Sequence, residues 1–172
     1  TAQKPDLSME ETLARMVGEW QLPLLRTCCA VLGSEDLAKD AVQETFLKAY
    51  RGLPSFRGEC SEKTWLMRIA VNTCKDYRRT QWLRHRNQTS PIDELPEAVL
   101  PTTSVSRELF LTVMSLPDKY KQVVLLYHYQ SMTMEEVADA LRVSRPAVSR
   151  RLKKAYELLR AELEGGAEHE LG

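Results

Sequence analysis

The chain has 172 residues, with 24 Lys+Arg balanced by 24 Asp+Glu for a formal net charge of zero; 43% of residues are hydrophobic and 7% aromatic. This composition excludes a collagen-like repeat, a wholly disordered chain and a disulfide-dense scaffold, and no apolar run approaches the roughly 20 residues that a membrane helix needs. A zero net charge also argues against a nucleic-acid binder, but only if the charges are evenly spread.

They are not. Residues 1–50 carry 5 basic and 8 acidic side chains. Residues 63–86 carry 7 basic ones (Lys63, Arg68, Lys75, Arg78, Arg79, Arg84, Arg86) against a single acid, Asp76. Residues 142–154 carry 6 basic side chains and no acid, and between the two blocks residues 91–101 hold Asp93, Glu94 and Glu97 with no base. Two basic blocks suit two contacts with one polyanion. The competing reading is a pair of solvated helix faces.

In chain order, residues 1–9 lack a basic segment followed by an apolar one, so no secretory signal is expected. The first residue is Thr1 rather than Met, as expected of a processed or trimmed chain. Leu13, Met16, Val17, Trp20, Leu24 and Leu25 predict a helix between Leu7 and Gly33, with a break at Pro23. Ser34 caps a second helix, from Glu35, built on Leu37, Ala41, Val42, Thr45, Phe46, Ala49 and Tyr50. Pro54 and Gly58 mark residues 52–63 as a loop. A third helix, 64–84, carries Trp65, Ile69, Thr73 and Tyr77 at spacings of four, a stripe that should face a core. Residues 88–104, interrupted by Pro91, Pro96 and Pro101, read as a linker. A helix over 107–116 follows, and Pro117 starts another that runs to about Tyr129. No convincing alternating strand pattern occurs. The expected class is all-α: two small helical domains, 1–87 and 105–172, joined by a flexible acidic linker over 88–104. Cys28, Cys29, Cys60 and Cys74 form no CxxC pair, which points to reduced thiols; neither His85 nor His128 adds the ligand spacing of a zinc site.

The most informative stretch lies between Thr133 and Arg160. Thr133 and Glu136 have capping-box spacing, and Val137, Ala138 and Leu141 form the inner face of a short helix. Arg142, Val143 and Ser144 make a turn, with Arg142 standing where Gly is common. Ser144 caps the next helix and Pro146 falls in its first turn. Val148, Leu152, Ala155 and Leu159 form its buried stripe, leaving Arg145, Ser149, Arg150 and Lys153 outward, with Arg151 and Lys154 on the flanks. This is helix-turn-helix spacing with a basic reading face; an ordinary helical hairpin with a basic surface is the blander alternative.

The run DAVQETFLKAYR at 40–51 resembles the polymerase-docking helix in region 2 of bacterial sigma factors. SFRG at 55–58 and KTWLMRIAVNT at 63–73 are similar to the loop and helix that follow it, and LPDKY at 116–120 with the helix-turn-helix resembles region 4. Their order and the short linker resemble the extracytoplasmic-function group, which has only regions 2 and 4. The resemblance spans roughly residues 10–163.

It implies an RNA polymerase specificity subunit with no catalysis, cofactor or metal of its own, directing core polymerase to minus-35 and minus-10 promoter elements and initiating transcription there. The implied partners are core polymerase (β′ clamp helices and β flap), promoter DNA and an anti-sigma factor, often membrane-anchored. The chain itself should be cytoplasmic, monomeric when free and not inserted in a membrane. Asp40, Gln43 and Glu44 would contact polymerase; Asp36, Asp40 and Glu44 share one face by their spacing, with a solvated acidic face or a carboxylate metal site as alternatives. The 52–63 loop would capture a flipped base, whose extrusion costs about a few kcal/mol. Phe56 offers it an aromatic surface, Asn72 a donor and an acceptor, and Arg57 or Lys63 a phosphate contact. Lys75, Arg78, Arg79 and Arg84 would follow the backbone. Phe56 could instead anchor the loop in the core, and Trp65 reads as core rather than as a stacking platform. At the start of the last helix the family often carries VGTVKSR; here RPAVSRR at 145–151 keeps Val148 and Arg151. Arg145, Ser149 and Arg150 would read bases, with Arg151, Lys153 and Lys154 on phosphates. The acidic linker suits either a segment threaded through a basic polymerase channel or a solvated tether.

Two other classes compete. A one-component repressor would dimerise on operator DNA, but no heptad seam is present and the N-terminal basic helix would have no purpose. A metal-dependent nuclease on Asp36, Asp40 and Glu44 lacks a His or Lys partner and a glycine-rich phosphate loop.

Overall fold

Ser8 opens the first helix. Its hydroxyl accepts the Glu11 N–H at 3.2 Å while the Glu11 carboxylate accepts the Ser8 N–H at 2.8 Å, a closed capping box on α1 (Met9–Leu32). The computed structural model describes residues 7–84, 97, 99–101 and 103–170. Most of the linker, with Pro91, Asp93, Glu94 and Pro96, lies outside the described residues, as do His85 and Arg86.

α1 continues through Pro23 rather than breaking there. Proline removes one intrahelical hydrogen bond, and the packing on its C-terminal side offsets that loss. Leu24, Thr27, Cys28, Cys29, Ala30 and Val31 are all buried, and the Pro23 carbonyl accepts the Thr27 hydroxyl at 3.0 Å. Gly33, at φ 67°, supplies the left-handed residue that ends the helix. Ser34 caps α2 (Glu35–Gly52), whose buried face is Ala38, Ala41, Val42, Thr45, Phe46 and Ala49. A short 3-10 turn, Leu53–Ser55, leads out of it.

α3 (Glu62–Arg84) starts two residues before the expected position. Its buried residues include Thr64, Leu66, Met67, Ala70, Val71, Thr73 and Cys74, while Trp65, Ile69 and Tyr77 are half-buried at the margin. The expected stripe is therefore rotated. α3 packs on α1 and α2 along one side and on α6 along another, so its covered surface is wider than a single i, i+4 row. Buried Thr73 donates to the Ile69 carbonyl at 2.8 Å and accepts from Lys48 at 3.1 Å.

The second bundle begins with Thr103, which caps α4 (Ser104–Met114) three residues earlier than the spacing suggests. The described end of the linker is fastened to this bundle: Val99 is buried, and Arg107 donates to the Pro101 carbonyl at 2.9 Å and pairs with Glu97. α5 (Asp118–Val124) follows Pro117 and passes into a wider π-type turn, Leu125–Tyr129, where the Gln130 N–H reaches the Leu125 carbonyl at 3.0 Å. α6 (Met134–Leu141) and α7 (Arg145–Glu170) complete the fold. α7 remains helical to Glu170, past Gly165 and Gly166. The described residues contain no strand, and α6 lies against α3, so the two bundles are docked on one another.

Candidate functional site

The turn between α6 and α7 is built from local bonds. Thr133 and Glu136 form the full capping box, at 3.1 and 2.8 Å. Arg142 occupies the left-handed region, φ 55° and ψ 45°, which explains why Gly is the easier residue there. The Val143 N–H bonds to the Ala138 carbonyl at 3.0 Å, and the Ser144 hydroxyl accepts the Ala147 N–H at 3.3 Å. Val148, Leu152, Ala155 and Leu159 are buried. On the opposite side Arg145, Ser149, Arg150, Lys153 and Lys154 are exposed and Arg151 is half-buried. Arg145 Nε lies 2.8 Å from Glu135 Oε1, and Lys154 pairs with Glu157 at 3.6 Å.

Around the 52–63 loop, Phe56 stacks on Trp65 with ring centroids 4.4 Å apart and an interplanar angle of 18°. A Cβ on Gly52 would lie 3.1 Å from the Trp65 ring, so the indole is held between that backbone and Phe56. Both rings are half-buried and line an open cavity with Arg57, Arg68 and Asp139. Trp65 is packed against the core and also walls this cavity, while α3 turns Leu66 and Met67 fully inward. Arg57, Lys75 and Arg79 are exposed and Asn72 is half-buried. The side chain of Arg84 lies outside the described residues.

Several of these cations meet carboxylates or carbonyls of the other bundle. Lys63 Nζ donates to the Gln130 carbonyl, and burial pulls its pKa below the ordinary lysine value. Arg68 donates from Nε to the Asp139 carbonyl at 3.2 Å and lies 3.6 Å from its carboxylate. Arg78 pairs with Asp118, which also lies 3.7 Å from buried Lys121. The Gln130 side chain donates to the Pro23 carbonyl at 3.4 Å. Asp118, Gln130 and Asp139 are inter-bundle partners of these residues that sequence reasoning missed; nothing in their local spacing marks them, since their partners lie 40 to 107 positions away.

Asp40 and Gln43 are exposed and Glu44 is half-buried, beside an apolar groove between α1 and α2 formed by Leu13, Val17, Val42, Phe46 and Leu47. Leu47, 46% exposed, sits one turn beyond Gln43 and was also missed; an apolar residue on a polar helix face is the signal that could have found it. Burial, reinforced by Asp40 and Glu44, raises the Tyr77 phenol pKa. Among the described residues no group of three or more His, Cys, Asp or Glu side chains could hold a metal ion.

Residues 16–84 match the model of sigma-70 region 2, and residues 113–161 match that of sigma-70 region 4. The chain is 32% identical over 134 residues to the ECF RNA polymerase sigma-E factor of Haemophilus influenzae, covering 70% of this chain and 71% of that protein. It belongs to the extracytoplasmic-function group of the sigma-70 family. This sigma factor is also 34% identical over 142 residues to the RNA polymerase sigma factor YlaC of Bacillus subtilis, covering 78% of this chain and 82% of YlaC. Among solved structures, the sigma factor RpoE in complex with the anti-sigma factor NepR from Bartonella quintana superposes with a TM-score of 0.70 at 20% identity, over 87% of this chain and 97% of that one. CnrH in complex with the cytosolic domain of CnrY gives 0.68 at 23% identity, over 91% and 90%. These two support the fold. As a sigma factor the chain is a transcription-initiation subunit, not an enzyme, and works on promoter DNA with core polymerase in the cytoplasm. No helix among the described residues is long and apolar enough to cross a membrane.

Proposed function

We propose that this sigma factor divides its work as the charge blocks do. Residues 1–87 dock on polymerase and read the minus-10 element, residues 105–172 read the minus-35 element, and residues 88–104 connect them. The observation that carries this reading is α7. Its apolar stripe is consumed by the core, while Arg145, Ser149, Arg150, Lys153 and Lys154 are exposed on the other face, where they can meet base edges and phosphates of a major groove. Asp40, Gln43, Glu44 and the Leu47 groove form the polymerase-docking surface, facing the β′ clamp helices. Phe56 and Asn72 take the flipped minus-10 base; Arg57, Lys63, Lys75, Arg78 and Arg79 take its backbone. Arg151 joins Lys153 and Lys154 on minus-35 phosphates.

Elements centred about 25 base pairs apart are separated by roughly 85 Å of B-DNA, at 3.4 Å per step. Lys63 and Gln130 are in hydrogen-bond contact. The docked arrangement therefore precedes promoter engagement, and the bundles separate when polymerase and DNA are bound. A protein that holds them together would keep the sigma factor inactive. An anti-sigma factor is the proposed regulator, since the solved RpoE structure is a complex with the anti-sigma factor NepR, and tethering to the membrane would come through that partner. Run-off transcription with purified core polymerase tests the whole reading. Promoter-dependent transcripts should require this chain, and their absence from every template selected by the holoenzyme would overturn it.

A further inference from the structure

The first turn of α6 carries two glutamates with different partners. Glu136 closes the capping box with Thr133. Glu135 reaches across the turn instead, its Oε1 2.8 Å from Nε of Arg145, the first residue of α7. We propose that Glu135 is a positioning residue for minus-35 recognition, holding the Arg145 guanidinium so that its two terminal amino groups face one guanine. This rests on the reading of α7 as the minus-35 helix.

The choice of nitrogen matters. A guanidinium offers five N–H donors in a planar fork. A carboxylate on Nε uses the side of that fork and leaves the far edge free, where two parallel donors match guanine O6 and N7. Backbone freedom is removed on both sides: the Ser144 hydroxyl caps the helix start, and the Pro146 ring fixes the next φ. With Glu135 on Nε, part of the side-chain freedom lost on binding is already gone.

A cation at a helix N-terminus opposes the helix dipole, so Glu135 also offsets an unfavourable placement. Its own negative charge, near DNA phosphates, should weaken binding to any sequence. The proposal thus makes two opposite expectations for Glu135→Gln: general DNA affinity rises, while selectivity for one guanine falls.

The test uses holoenzyme made from core polymerase and the full chain, selecting from promoter duplexes randomised across the minus-35 positions. The wild type should prefer guanine at one position, and Arg145→Ala should abolish that preference. Glu135→Gln should cut it about three- to tenfold, part of the about 5- to 150-fold that a bidentate Arg–guanine contact provides, with other positions unchanged. In the Arg145→Ala background Glu135→Gln should alter no base preference. Equal effects at all positions, or a lowered melting temperature with selectivity intact, would overturn the positioning role and leave Glu135 as a helix-terminus charge. Base preferences that survive Arg145→Ala would overturn it at Arg145 while leaving the minus-35 reading of α7 standing. A holoenzyme that selects no minus-35 sequence would instead remove the reading beneath it.

Discussion

Replacing Asp118 and Asp139 together by Asn should part the two bundles. Asp139 lies 3.6 Å from Arg68, with side chains 62% and 29% exposed, and Asp118 pairs with Arg78, at 45% and 39% exposed. Pairs this exposed contribute about 0.2–1 kcal/mol each. Arg68 and Arg78 are ten residues apart on α3, roughly 15 Å along its axis, so the two losses should add. The docked state then loses about 0.5–2 kcal/mol, a roughly two- to thirtyfold shift toward the open state. The hydrogen bonds from Lys63 to Gln130, from Gln130 to Pro23 and from Arg68 to the Asp139 backbone carbonyl remain and contribute to the residual affinity.

Small-angle scattering reads the outcome directly. A compact 172-residue chain has a radius of gyration of about 16 Å, and separated bundles give a larger value. The wild type at low salt should lie near the compact figure, the double variant should lie above it, and the wild type should move the same way in 1 M salt, where the screening length falls to about 3 Å. Melting of each variant checks that the bundles themselves stay folded. If double variant and wild type scatter identically at both salt concentrations, ion pairs do not hold the bundles together and the reasoning fails.

Glu62 accepts from Arg15 at 2.9 and 2.8 Å and from the Trp20 indole at 2.8 Å, tying α3 to α1; Glu62→Gln should cost about 1.5–3 kcal/mol in urea unfolding, and an unchanged midpoint would refute that. Arg142→Gly relieves a left-handed backbone and should be neutral or stabilising by up to about 1 kcal/mol, in contrast to the loss usual for glycine in a helix. Hydrogen bonding to Cys74 and burial push the Cys28 thiol up, and burial pushes Cys29 up to about 11, so with a thiol reagent at pH 8 half-exposed Cys60 should react first; rapid loss of a second thiol from the folded protein would contradict this. Burial lowers the Lys121 pKa below its ordinary 10.5 despite Asp118 nearby. Between the lowered value and 10.5 the unfolded chain binds more protons than the folded one, so this group's contribution to stability rises with pH there, and Lys121→Met should remove that slope.

Local physics was the legible part. Capping residues Ser34, Thr133 and Ser144 and the stripe Val148–Leu152–Ala155–Leu159 act within a few positions of themselves, and the odd arginine at 142 proved to be the left-handed residue. Pro23 was misread because a missing N–H is a local cost, whereas the burial that offsets it comes from other helices. The stripe on α3 was misplaced for a related reason: periodicity gives one apolar face, but α3 is covered from two directions. At the candidate site the exposed cations could be read from spacing, while the stacking of Phe56 on Trp65 and the carboxylates of Asp118 and Asp139 depend on contacts across the fold.

Those two aspartates give the zero net charge a physical meaning. Part of the basic block on α3 is not left to bulk counterions in the free protein: Arg68 and Arg78 already face carboxylates of the other bundle, and Lys63 a carbonyl. Promoter phosphate would offer these cations the same kind of oxygen ligand, so on the proposed reading DNA binding would exchange an internal partner for an external one. Such an exchange gains little for a single pair, since exposed ion pairs are weak. It becomes favourable when several are exchanged together with the contacts made by α7, which demands both promoter elements at once. Pairing Arg68 and Arg78 inside the free protein should lower its affinity for isolated stretches of DNA, which suits a subunit that works on promoters together with polymerase.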